Sequence, residues 1–249
     1  MSKFGKSFLL LMLIAVLISS GCSKENNMVK IDTPRGAELT AYLDLPEGDG
    51  PFPAVVVAPG LGYNATLPLF DSIAQKCVDK GIACLRFEWD FFTRGADPSE
   101  NYSDELEDYS AAIDFLKQQP KIDKDKIFLS GKSLGAQVAI NYAVDHPDFA
   151  GLIVLTPPLH NPRPPLEIRP SMLILRDVKL PTAIIYGDSD PICHKGMLDN
   201  FLADSSFKPE VFQVRGSHSF QGDSEEETAR NIDNASGAFV DFIVSHIKQ

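Results

Sequence analysis

Ser133 stands in the middle of Gly131-Lys132-Ser133-Leu134-Gly135, with the apolar run Ile127 to Ser130 leading in and a helical pattern leading out. A serine hydroxyl is a poor nucleophile near neutral pH, so it needs a positioned base, and the base needs an orienting carboxylate. The strand–turn–helix context suits such a role. Flanking glycines relieve crowding around a strained serine, and the start of the following helix presents backbone N–H groups to a developing oxyanion. Five histidines are available as the base: His146, His160, His194, His218 and His246. Two carboxylates, Asp188 and Asp190, lie together in Gly187-Asp188-Ser189-Asp190-Pro191, directly after the apolar run Ala183 to Tyr186.

The elements that would hold these residues can be read from periodicity. Val29 to Asp32 and Glu38 to Leu45, separated by Pro34-Arg35-Gly36, predict an antiparallel hairpin at a sheet edge. Beyond Pro51 the apolar runs become continuous: Ala54 to Ala58, Ile82 to Phe87, Ile127 to Ser130, Leu152 to Thr156 and Ala183 to Tyr186, with a weaker one at Glu210 to Val214. Continuous runs suit strands covered on both faces. Helices are expected over about Leu67 to Lys80 and Leu134 to His146. Two more are marked by Leu106, Tyr109, Ile113 and Leu116, with Ser103 as expected N-cap, and by Ile232, Ala235, Phe239, Phe242 and His246. Alternating strands and helices predict an α/β domain, a mostly parallel sheet with helices on both faces. Six prolines between Thr156 and Leu180 rule out a long helix there and leave room for at most a small lid.

Over residues 28 to 248 the chain resembles the α/β-hydrolase superfamily, and within it the dienelactone-hydrolase-like and serine aminopeptidase-like hydrolases. Dienelactone hydrolases proper use a cysteine nucleophile, and Ser133 departs from that. The resemblance implies the chain order nucleophile, acid, histidine. Gly187-Asp188-Ser189-Asp190-Pro191 is similar to the superfamily's G-x-x-D-P loop, which places the acid on Asp190, with Asp188 as second candidate and otherwise a turn-former. His146 and His160 precede the acid, His194 follows it too closely, and His246 lies on an apolar helix face. His218, in Gly216-Ser217-His218-Ser219-Phe220, fits the superfamily's small–His–aromatic loop. The implied oxyanion hole joins the Leu134 amide to that of Leu61, in Pro59-Gly60-Leu61-Gly62-Tyr63, where Pro59 replaces the usual histidine. The implied reaction is two-step acyl transfer on a small-molecule ester or amide, with no metal or organic cofactor. No cysteine–histidine spacing resembles a zinc site. Phe87, Trp89, Phe91 and Phe92 are candidates for an acyl pocket or for core, and Glu88 and Asp90 for solvated or structural positions.

At the N-terminus Lys3 and Lys6 precede an apolar run, Phe8 to Ile18, that is short for a membrane span. It ends in Ser19-Ser20-Gly21-Cys22, which looks like a bacterial lipobox, although Ser19 stands where the pattern prefers Leu. This implies a signal peptide over 1–22, a lipid on Cys22, a polar tether over 23–27 and one domain over 28–249. It further implies an exported, membrane-anchored protein, with Ser23 favouring the outer membrane of a Gram-negative cell. In that setting Cys77, Cys84 and Cys193 are expected as buried free thiols, and the sequons at Asn64, Asn101 and Asn234 as accidental. The 249 residues carry 34 acidic and 23 basic side chains, a net charge of −11, which argues against a nucleic-acid partner. A carboxylesterase fits this set best. A serine peptidase would need a carboxylate for a substrate amine, and none can be assigned. A non-catalytic binding lipoprotein would not require the Ser133, Asp190 and His218 set.

Overall fold

The computed structural model describes residues 27–203 and 205–247. The expected signal peptide, Cys22 and all of the expected tether except Asn27 lie outside them. Asn27 itself belongs to the sheet edge: its carbonyl accepts the Leu43 N–H, and its amide donates to Asp44.

An eight-stranded sheet runs through the domain in the order β1-β2-β4-β3-β5-β6-β7-β8. The strands are β1 (Met28–Asp32), β2 (Glu38–Asp44), β3 (Phe52–Ala58), β4 (Ala83–Phe87), β5 (Ile122–Lys132), β6 (Gly151–Leu155), β7 (Thr182–Gly187) and β8 (Glu210–Val214). The first two form the expected antiparallel hairpin, and β2 runs antiparallel to β4; every later pairing is parallel. The helices are α1 (Pro68–Asp79), α2 (Asp90–Thr93), α3 (Ser103–Gln118), α4 (Leu134–Asp145), α5 (Lys195–Ala203) and α6 (Glu225–Ile247).

The parallel strands separate two apolar layers, which is why their sequences are continuously apolar rather than alternating. Val55, Val57 and Phe128 pack with α1 and α6 on one face, while Ala54, Val56 and Leu129 pack with α3 and α4 on the other. From β3 the chain runs outward to β4 and returns to place β5 on the other side of β3. This reversal of winding opens a crevice at the carboxyl ends of β3 and β5, the place where open α/β sheets hold ligands.

One expectation changes and two open alternatives are resolved. The start of α3 is not capped by Ser103: Tyr102, at φ 59°, is the residue before the helix, and the capping hydroxyl belongs to Ser99, which accepts the Asp104 N–H at 3.0 Å. A 3-10 turn over Glu100–Tyr102 moves that serine upstream, and Ser99 also bonds Glu105 through its own N–H and hydroxyl. Phe87, Trp89 and Phe91 are core residues, Trp89 meeting Phe87 edge-on at 4.7 Å, with Phe92 packed part-buried against them. Glu88 and Asp90 are buried and structural, not solvated: Glu88 accepts the Ala65 N–H, and Asp90 pairs with Arg35 and Arg94. Arg35, from the hairpin turn, also engages Glu107 and Asp108 and so ties the sheet edge to α3. Between β6 and β7 the proline-rich stretch makes a single antiparallel bridge, His160 to Ile168, and a 3-10 segment, Pro170–Asp177, laid on α4 through a Gln137 side-chain bond to the Ser171 carbonyl.

Candidate active site

Ser133 joins β5 to α4 at φ 54° and ψ −112°, a conformation that non-glycine residues rarely occupy. Bonds on both sides hold it: its N–H donates to the Leu155 carbonyl at 3.0 Å, and its carbonyl accepts the Gln137 N–H at 3.1 Å. The flanking glycines have a steric reason. A Cβ on Gly131 would meet the Gly135 carbonyl and the Ala136 nitrogen, and one on Gly135 would meet the Ala58 and Pro59 carbonyls. Helix, strand and the loop after β3 therefore approach at backbone distance, and only glycine fits at either side of the serine.

Asp190 follows β7 and is fully buried. One of its oxygens accepts the Ile192 N–H at 2.9 Å, and the other faces His218 Nδ1 at 2.8 Å. His218 Nε2 lies 3.0 Å from Ser133 Oγ. With Nδ1 against a carboxylate, the ring proton belongs on Nδ1, so Nε2 offers a lone pair to the serine hydroxyl. Ser133, Asp190 and His218 thus form one continuous chain of hydrogen bonds. Asp188 takes the turn-forming part: it accepts the Gly216 N–H at 2.9 Å, and Ser189 N–H donates to the Gly216 carbonyl. These bonds fasten the acid loop to the histidine loop and fix the reach of His218.

Leu134 opens α4, so its N–H belongs to the first helical turn, where no intrahelical acceptor exists. Leu61 sits at the tip of the loop after β3 and is 57% exposed. The loop is anchored by Trp89, whose Nε1–H donates to the Pro59 carbonyl at 2.8 Å. Tyr63, at the end of the same loop, shares a 2.6 Å bond between its hydroxyl and that of Ser219, next to His218.

The remaining histidines lie away from this chain. His146 stacks on Tyr142 at 3.9 Å, and His246 packs on Phe242 at 4.2 Å. His160 is buried and accepts the His194 N–H on Nε2, which ties the proline-rich segment to the acid loop. Cys77, Cys84 and Cys193 are buried and free, and burial pushes the Cys77 and Cys193 thiols upward.

Lys132 went unsingled in the sequence, yet it is only 1% exposed. Its ammonium lies 4.4 Å from the centre of the Tyr63 ring and has no hydrogen-bond partner. Burial brings it down to about 7 from the ordinary 10.5, with Asp190 pulling the other way. The signal was present: two-residue alternation along β5 puts Lys132 on the face of Phe128, in a strand covered on both sides.

Fold and site together define an α/β hydrolase. The model of the family described as alpha/beta hydrolase domain matches residues 52–244, and the chain belongs to that family. An esterase of Thermotoga maritima, EstD, is 30% identical over 128 residues, covering 48% of this chain and 30% of its own length. The chain spans about a third of the length of the curated relatives it matches. Among solved structures, an α/β serine hydrolase homologue from Coxiella burnetii superposes with TM-score 0.69 at 20% identity, covering 87% of this chain and 96% of its own. A serine hydrolase from Xanthomonas campestris described as lacking a lid gives 0.66 at 21% identity, covering 88% and 93%. These likenesses support the fold.

Proposed function

We propose that the protein is a serine-dependent carboxylesterase acting on small or medium acyl substrates. The observation that carries this reading is the unbroken chain Ser133 Oγ–His218 Nε2–Asp190, at 3.0 Å and 2.8 Å. His218 takes the Ser133 proton as the hydroxyl adds to the ester carbonyl, and the Leu134 and Leu61 amides receive the oxyanion. The tetrahedral adduct collapses, and His218 passes the proton to the departing alkoxide. Water, deprotonated by His218, then attacks the acyl-enzyme and releases the acid.

The relatives named esterases favour ester over amide substrates. The short 3-10 segment in place of a helical cap favours an open site, as does the lidless Xanthomonas neighbour. The lipobox-like Ser19-Ser20-Gly21-Cys22 supports placing this activity outside the cytoplasm, on a membrane, through a lipid on Cys22.

Hydrolysis of p-nitrophenyl esters of graded chain length tests the reading. Turnover by the native protein, reduced about a thousandfold or more in Ser133→Ala, is the expected result. Equal turnover in the variant would move the nucleophile elsewhere.

A further inference from the structure

Lys132 breaks a general rule of folding, because a buried ammonium without a hydrogen-bonding partner costs stability. Such violations gather at functional sites. Lys132 immediately precedes the nucleophile, and its side chain points to the face of the sheet that carries the histidine loop. Three elements bear on it. The loop after β3 supplies the Tyr63 ring at 4.4 Å. The loop after β7 supplies Asp190, the carboxylate whose charge favours the ammonium. The loop after β8 carries His218, bonded to that same carboxylate, and Ser219, bonded to the Tyr63 hydroxyl.

We propose that Lys132 is a positioning residue of the triad, its buried ammonium setting how readily the Asp190–His218 pair holds a proton. The Tyr63–Ser219 bond keeps the ammonium sealed beneath the histidine loop. This inference rests on the triad assignment above. Its physical content is competition for one carboxylate: a cation that already draws on Asp190 makes imidazolium formation at His218 less favourable. In a dry site that competition is weakly screened. Burial brings Lys132 down to about 7, so the ammonium is charged on the acid side of neutrality, where the competition acts.

The linked stability effect has a definite sign. Between about 7 and the ordinary 10.5 the unfolded chain holds the lysine proton and the folded chain has released it. Stability therefore rises with pH through that window, and the rise should vanish in Lys132→Met.

The test is the rate of fluorophosphonate labelling against pH in the full-length protein, for wild type, Ser133→Ala, Lys132→Met, Lys132→Gln and Tyr63→Phe. Labelling of wild type and not of Ser133→Ala secures the triad; its failure overturns the assignment and this inference with it. With labelling secure, the acid limb of both Lys132 variants should move up by about half a pH unit or more. Their melting temperatures at pH 7 should equal or exceed that of wild type. Tyr63→Phe, which keeps the ring over the ammonium, should slow labelling without moving the limb. Lys132 profiles that superpose on wild type after scaling would contradict the proposal. So would failure of both variants to fold, since that would make the ammonium a structural support.

Discussion

At Asp190 two bonds to one carboxylate decide how the histidine behaves. The Ile192 N–H occupies one oxygen, so an amide in place of the acid would keep its own oxygen there and turn its NH2 toward His218. The imidazole would then hold its proton on Nε2, facing Ser133, and could not accept another. Asp190→Asn is accordingly expected to keep the fold, judged by an unchanged melting temperature, and to lower kcat roughly a thousandfold or more. A loss below tenfold would show that the carboxylate has no part in the reaction. At this scale the sequence was partly legible. Ser133, Asp190 and His218 each sit in a short motif with its own local chemistry, and the structure brings the three side chains together. Lys132 was not legible in the same way, because its meaning depends on Tyr63, Ser219 and Asp190, which reach it from three different loops.

Among the elements, the junction of β5 and α4 carries the tightest constraint. Gly135 lies against the carbonyls of Ala58 and Pro59, so an added methyl would push the helix start away from the loop that holds Leu61. Gly135→Ala should lower stability by about 1–3 kcal/mol, the usual cost of overpacking a core. It should also reduce kcat, because the two amides proposed to receive the oxyanion would part. Denaturant unfolding and ester turnover measure the two effects, and a variant as stable and active as the parent would refute the close approach. Continuous apolar strands were legible because burial on both faces imposes them. The α3 cap was misread because Ser103 satisfies a local rule that Ser99 meets by way of a 3-10 turn. The aromatics after β4 were ambiguous for a related reason: a strand end can face either a cleft or the core, and Trp89 turns inward to bond Pro59.

For the molecule as a whole, topology explains why distant segments meet. Ser133, Asp190 and His218 come from the ends of three strands, and the parallel order puts all three carboxyl ends on one edge of the sheet. Handed connections follow from general rules, which is why the alternating pattern sufficed to indicate an α/β domain with a mostly parallel sheet, while the order of its strands was not legible. Where the protein acts is a separate proposal, resting on the lipobox-like sequence at Cys22. With the lipid proposal correct, Cys22→Ala should abolish incorporation of labelled fatty acid and leave the protein uncleaved or unanchored; unchanged lipid labelling would rule it out. The proposed esterase chemistry of the domain should survive that change.

The central claim, that Ser133 is the nucleophile of a working triad, is tested most directly by intact-mass measurement after fluorophosphonate treatment. One covalent adduct on the native protein, mapped to the peptide containing Gly131-Lys132-Ser133-Leu134-Gly135 and lost in Ser133→Ala, is the predicted result. An adduct that persists in Ser133→Ala, or a native protein that takes up none, would contradict it.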